Sequence, residues 1–129
     1  VLHQSTRRFP IQAKCTIAIH ALQAAEQLGN VALGKFVVRL LRNALTDPDP
    51  ERASAGIIAA AKQIEQVPII HRTSFAEQLC CNSPTEARWR LKTLEAIADQ
   101  TDALPPTLET IHLCRTLNNN IYLLRIELG

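Results

Sequence analysis

The sequence predicts an all-α fold, an irregular stack of antiparallel helical hairpins with about six or seven helices. Three observations predict it. Apolar residues recur at three-four spacing, prolines and capping residues cut this pattern into short segments, and strand candidates lack a partner strand. A chain of 129 residues with 47% hydrophobic and 20% charged residues can bury one core. We therefore expect a single domain over 1–129, with residues 1–10 as a flexible basic arm.

Two predicted helices flank Gly29 in the first third of the chain. Apolar spacing over 13–28 predicts the first helix, and Gly29 with Asn30 is typical of a left-handed C-terminal end. The segment 31–45 is apolar on almost every face, so we expect a second helix that is mostly buried. Its only polar stripe consists of three cations, Lys35, Arg39 and Arg42.

Proline and aspartate define a turn at Asp47–Pro50. Each proline fixes its own φ and disfavours helix at the residue before it, while Asp49 can cap a following helix whose first position suits Pro50. We therefore expect a third helix that begins at Pro50 and ends before Pro68.

Two capping boxes predict the next two helices. Ser74–Glu77 fits a box for a short helix that ends near Cys81. Ser83–Glu86 fits a second box with proline at the first helical position, and it opens a helix over 84–99. Trp89 lies off the apolar stripe of that helix.

The last quarter of the chain predicts one or two further helices. Apolar spacing after Pro106 indicates a helix that ends at Asn118–Asn120. The final segment, 121–128, fits either a helix or a strand, and helix is favoured because a strand would have nothing to pair with.

The predicted helix starts at Pro50 and Pro84 lie 34 residues apart, a period typical of stacked helical hairpins. The run Pro84-Thr-Glu-Ala-Arg88, followed by Leu91, resembles the start of the second helix in HEAT and armadillo repeats. The turn before Pro50 has the aspartate and the proline of that pattern but lacks its apolar residue. The resemblance covers about residues 31–99. It implies an α-solenoid-like scaffold that presents a helical face to a partner protein, and no catalytic residue carries over.

Charge and cysteine content argue against several classes of protein. The net charge of +2 is small for a protein that binds nucleic acid by bulk charge. No segment has the roughly 18 apolar residues that a membrane span needs, and no signal peptide is visible. The four cysteines are scattered, and adjacent Cys80 and Cys81 are poorly placed to pair, so we expect reduced thiols in a cytoplasmic protein.

These features together predict a non-enzymatic protein-binding adaptor that needs no cofactor. A line of cations on an otherwise apolar helix suits an acidic segment of a partner, and an aromatic residue off the buried stripe can anchor an interface. The expected partner contacts are Lys35, Arg39, Arg42 and Trp89. A short repeat array has apolar ends, so a homodimer is a further expectation unless the first and last segments cap it.

A helix-turn-helix DNA-binding regulator is an alternative function. Residues 74–96 look like the reader segment of winged-helix regulators, with 84–99 as the recognition helix. The side chains that would reach DNA are Arg88, Arg90 and Lys92. The turn is about one residue too long, no wing strands are evident, and the acidic residues of the same helix also fit a solvated face.

A small enzyme of unknown chemistry is the second alternative. No nucleophile elbow, zinc-protease or phosphate-loop motif is present, and the histidines are dispersed, as His3, His20, His71 and His112. A zinc site would need four nominal ligands, His71, Cys80, His112 and Cys114. Because no C-x-x-C or H-x-x-x-H pair anchors such a site, we expect no metal.

Overall fold

A computed structural model describes residues 9–129, which form α-helices joined by short turns. The six helices are α1 (Ile11–Gln27), α2 (Val31–Ala44), α3 (Pro50–Ala61), α4 (Ile69–Cys81), α5 (Ala87–Thr101) and α6 (Leu108–Leu128), with a single 3-10 turn at Ile64–Gln66. The described range contains no β-strand, so the all-α prediction is confirmed. Most of the predicted basic arm, residues 1–8, lies outside the described residues.

The helices form two layers of three. In one layer α1 packs against α3 and α3 against α5, and in the other α2 packs against α4 and α4 against α6. The hairpins α1–α2 and α5–α6 join the layers at the two ends of the stack. The chain therefore alternates between layers, as in the predicted stack of helical hairpins.

Hydrogen bonds across the layers fix the direction of the helices. The Lys14 ammonium donates to the carbonyl of Ala44 at 2.8 Å, which joins the start of α1 to the end of α2, so this hairpin is antiparallel. Within a layer the helices run in the same direction. Gly34 packs on His71 near the starts of α2 and α4, and the Asn82 amide donates to the carbonyl of Leu41 at 3.4 Å near their ends.

The core lies between the two layers. Its largest fully buried apolar side chains come from α1, α3, α4, α5 and the connecting turns: Phe75, Ile19, Leu22, Leu45, Ile57, Ile64, Leu79, Leu94, Ile97 and Val67. Burial of one apolar side chain of this size contributes about 1.5–3 kcal/mol to the free energy of unfolding. The core also contains one polar pair, Thr93 and Ser54, whose hydroxyl oxygens lie 2.7 Å apart. The Thr93 hydroxyl donates a hydrogen bond to the carbonyl of Trp89 at 2.6 Å.

Two predicted turns agree closely with the structure. Asp49 accepts a hydrogen bond from the backbone N–H of Glu51 at 3.1 Å, and α3 begins at Pro50. Gly29 has a φ of 66°, the left-handed conformation expected at the end of α1. In both turns the local residues determine the backbone without help from distant contacts.

The two predicted capping boxes are wrong about where helices begin. Helix α4 already begins at Ile69, directly after Pro68, because burial of His71 and Phe75 against the rest of the stack extends it beyond Ser74. Helix α5 begins three residues later than Pro84, at Ala87. The Ser83 hydroxyl, expected as a cap, instead donates to the carbonyl of Leu79 at 3.1 Å.

Helix α6 runs without interruption through Asn118–Asn120, where an end was predicted, and 121–128 is helical. Leu117 and Ile121 are both buried and lie one helical turn apart. Packing of these two side chains outweighs the weak helix propensity of the three asparagines. The side chain of Asn120 donates to the carbonyl of Thr116 at 2.9 Å and so remains within the helix.

Helix α2 is much less buried than its composition predicts. Only Gly34, Val38 and Leu41 are buried. Four large apolar side chains of α2 are exposed to solvent, Val31, Leu33, Phe36 and Leu40. The prediction of a mostly buried helix is wrong because α2 lies at one end of the stack, where it packs on α1 and has only α4 as a neighbour within its own layer.

We predict that Gly34→Ala destabilises the fold although alanine favours helix. A Cβ at residue 34 would overlap the buried imidazole of His71, and overpacking of this kind costs about 1–3 kcal/mol. In a His71→Ala background the overlap is gone, so the same change should stabilise the protein by up to about 1 kcal/mol. Urea unfolding of the four proteins in this double-mutant cycle measures both effects. Equal effects of Gly34→Ala in the two backgrounds would contradict the contact.

Candidate functional site

A groove of about 290 Å³ runs between α2 and α4 on one side of the molecule. It is lined by Lys35, Val38, Arg39, Arg42, His71, Ser74 and Gln78. The α2 wall supplies the three cations that the sequence predicts as partner contacts. The α4 wall supplies residues that sequence reasoning missed, although His71, Ser74 and Gln78 follow a helical spacing that matches the cations opposite.

The three cations of the α2 wall are exposed, and within the part of the chain that the structure describes they form no ion pair. Among residues 9–129, no carboxylate lies within 4.0 Å of Lys35, Arg39 or Arg42, and no lining residue of the groove is acidic. Uncompensated like charges on one face attract counter-charges from solution. The groove is therefore a site of concentrated positive charge on a chain whose net charge is only +2.

His71 is buried at the groove with 4% of its surface exposed. Burial lowers the pKa of His71 below its ordinary value, the charge of Glu26 opposes this shift, and the charge of Lys35 adds to it. The imidazole is therefore neutral at pH 7. The positive charge of the groove at this pH comes from the α2 cations, and His71 contributes a hydrogen-bonding ring.

Gln78 leaves a hydrogen-bond acceptor unused in the α4 wall. Its Oε1 atom is buried, and the described part of the chain provides it with no donor. An unpaired buried polar atom costs about 1–3 kcal/mol, and because this oxygen is closed to solvent, a bound molecule would reach it only after the Gln78 side chain turned toward the groove.

Trp89, the fourth predicted partner contact, does not lie in this groove. It is half-buried on α5, with the Arg88 guanidinium 4.8 Å and the Lys92 ammonium 5.5 Å from the centre of its ring. Both distances are within the range of cation–π attraction. Trp89 and its two cations thus form a separate surface, and the structure does not bring it together with Lys35, Arg39 and Arg42.

The three cations of the DNA-binding alternative do not share one face of α5. Arg88 and Lys92 both lie over the ring of Trp89. Arg90 instead lines a cleft of about 250 Å³ between α4, α5 and α6, together with Glu77. Residues two positions apart on a helix point in nearly opposite directions, which explains the separation.

The dispersed histidines and cysteines stay apart in the fold. Of the four nominal zinc ligands, Cys80 and His112 line the same cleft, whereas His71 lies in the α2–α4 groove and Cys114 lies near Asp102. Within residues 9–129 no cluster of three or more candidate metal ligands occurs. His20 is exposed on α1, and His3 lies outside the described residues.

A larger cavity, of about 530 Å³, lies where the start of α1 meets the turn before α3. Its charged lining residues are Asp47 and Arg52, which pair at 3.3 Å. Hydrogen bonds from the backbone of Asp49 and from Arg52 lower the pKa of Asp47. Because these charges satisfy each other, the cavity presents less uncompensated charge than the α2–α4 groove.

Comparison with known proteins adds no relative: no family model matches the chain, and no curated protein or solved structure is significantly similar to it. Of the helices in residues 9–129, none is both long enough and apolar enough to cross a bilayer.

We predict that the four cysteines differ sharply in reactivity. Burial raises the pKa of Cys15 and of Cys80 to about 12, whereas the side chain of Cys81 is exposed. Only the thiolate reacts, so alkylation at mildly alkaline pH should modify Cys81 at least about 100-fold faster than Cys15. Mass spectrometry of fragment ions after timed alkylation measures the rates. Labelling of Cys15 as rapid as that of Cys81 in the folded protein would show that the core is open.

Proposed function

We propose that this chain is a non-enzymatic protein-binding module whose α2–α4 groove binds an acidic segment of a partner protein. The observation that supports this function best is the row of exposed cations, Lys35, Arg39 and Arg42, with no carboxylate within reach in the described range. Charge complementarity of this kind speeds association and selects acidic partners.

The dimensions of the groove suit an extended peptide. Lys35 and Arg42 are seven positions apart on α2, which corresponds to about 10 Å along the helix axis. About three residues of extended chain span this distance. A short run of glutamate or aspartate would therefore place carboxylates near all three cations at once.

The α4 wall adds polar groups to the groove. The neutral ring of His71 lies on this wall and offers a hydrogen-bonding group at its edge. The exposed Ser74 hydroxyl lies on the same wall. The row of three cations along the opposite wall is longer than a single small anion, and this length favours an acidic protein segment.

The proposed role is that of an adaptor in the cytoplasm, with the character of a short helical repeat. The alternation of helices between two layers supports this reading, because such stacks offer long surfaces to partners. Trp89 with Arg88 and Lys92 is a second proposed contact surface, for a partner that extends beyond the groove. DNA binding through α5 is the alternative, and it would depend on Arg88, Arg90 and Lys92.

We predict that Arg39→Glu abolishes binding of an acidic peptide to the groove. The change replaces attraction with repulsion at the middle of the row, so affinity for a fluorescent polyglutamate peptide should fall by about tenfold or more. Fluorescence anisotropy measures the affinity. Binding to the unmodified protein should weaken as salt concentration rises, because the charges are exposed and screened.

Arg115→Glu on α6 is the matched control, since Arg115 is exposed and lies outside the groove. It makes the same change in net charge and should leave peptide affinity nearly unchanged. Equal losses in the two variants would indicate attraction by net charge alone and contradict the groove. Failure of the unmodified protein to bind polyglutamate at low salt would also contradict it, whereas retention of duplex DNA that is lost in Arg88→Glu would favour the regulator.

A further inference from the structure

A second unoccupied surface lies on the outer side of the first hairpin, and it is apolar. We call it the hairpin face. It comprises the solvent-facing side of α1, with Ile17, Ala21, Ala24 and Leu28, and that of α2, with Leu33, Phe36, Val37 and Leu40. The five largest exposed side chains are between 39% and 75% accessible, Leu33, Phe36, Ile17, Leu40 and Leu28.

The two halves of the hairpin face form one continuous surface. The hydrogen bond between Lys14 and the carbonyl of Ala44 fixes the register of the antiparallel hairpin. Counting from this bond along both helices places Ala21 level with Val37, and Ile17 within one residue of Leu40. Ala21 and Val37 are half-buried, as expected for small and medium side chains at the seam between two packed helices.

No charged side chain lies within the hairpin face, and the one at its border, Lys14, has its ammonium bound to the carbonyl of Ala44. The cations of α2 line the α4 groove instead. The other end of the stack differs, because the exposed apolar residues of α6, such as Tyr122 and Ile126, alternate with Arg125 and Glu127. A polar outer surface is the usual means by which the end of a helical stack remains soluble, and the first hairpin lacks one.

The size of the hairpin face matches a two-helix partner. The apolar residues of α1 span 17–28, so the face is about 17 Å long on this helix, and two adjacent helices make it about 20 Å wide. Its projected area is about 340 Å². The relief of the exposed side chains adds to this value, toward the roughly 600 Å² of accessible surface per partner of the smallest stable interfaces. A single helix would cover only half of it. A second copy carries a face of equal length, equal width and equal lack of charge.

We propose that two copies of this chain associate through the hairpin face, with each first hairpin packed against the other around a two-fold axis. The interface is self-complementary because apolar residues meet apolar residues and no charge is desolvated. The α2–α4 grooves lie outside the face, so a dimer carries two acidic-peptide sites. This inference depends on exposed apolar surface alone and stands apart from the proposed groove function.

The test is Phe36→Glu, examined by sedimentation velocity over a range of micromolar concentrations. The unmodified protein should be a dimer that dissociates on dilution. The glutamate would be buried without a partner, so the dissociation constant of the dimer should rise at least about 30-fold. Circular dichroism should be unchanged, because Phe36 does not contribute to the core.

Tyr122→Glu is the matched control, since Tyr122 is as exposed as Phe36 but lies on α6 at the other end of the stack. It should leave the dimer intact. A monomer at every concentration of the unmodified protein would overturn the proposal, and so would a Phe36→Glu variant that still dimerises. Loss of association in both variants, or growth of the unmodified protein into larger species, would indicate head-to-tail stacking and would equally overturn the two-fold dimer.

Discussion

The close contact between Gly34 on α2 and His71 on α4 determines how near the first hairpin can lie to the second. Residue 34 has no side chain, so the imidazole occupies the space that a Cβ would fill. Val38 and Leu41 then pack into the core. Because α2 is held in this position, its next helical face, which carries the cations, forms a wall of the α2–α4 groove. Packing of one glycine thus connects the core to the candidate site.

In the same arrangement, the three faces of α2 have different surroundings. Its buried face is narrow, its basic face borders α4, and its remaining face carries Phe36 and Leu40 into solvent. A helix in the middle of the stack would have neighbours on two sides, and its apolar residues would be covered. Position at the end of the stack therefore explains why an unusually apolar helix has so much accessible surface. Both of the proposed binding surfaces therefore include this one helix.

Sequence reasoning succeeded where a few adjacent residues determine the backbone. The backbone at Gly29 and at the turn Asp47–Pro50 is set by neighbouring residues, because φ restriction and capping act over three or four residues. It failed at Ser74 and at Asn118–Asn120, where burial of distant partners extends a helix through residues that locally favour an end. A single sequence does not show which distant residues pack against each other.

The candidate site was predictable in part for the same reason. The row Lys35, Arg39 and Arg42 has a helical spacing that is visible in the sequence, and the structure places all three in one groove. The opposite wall could not be predicted, because the pairing of α2 with α4 joins segments that are far apart in the chain. The sequence shows that Trp89 lies off the apolar stripe of its helix. The stacking of two neighbouring cations on its ring is visible only in the structure.

The most direct test of this account is a titration of the isotopically labelled protein with a glutamate-rich peptide, followed by amide chemical shifts. We expect the largest changes at residues of the α2–α4 groove, including Arg39, His71 and Gln78, with saturation at low salt. Changes centred on Trp89 or on α6, or no change at any peptide concentration, would contradict the claim that the groove is the binding site.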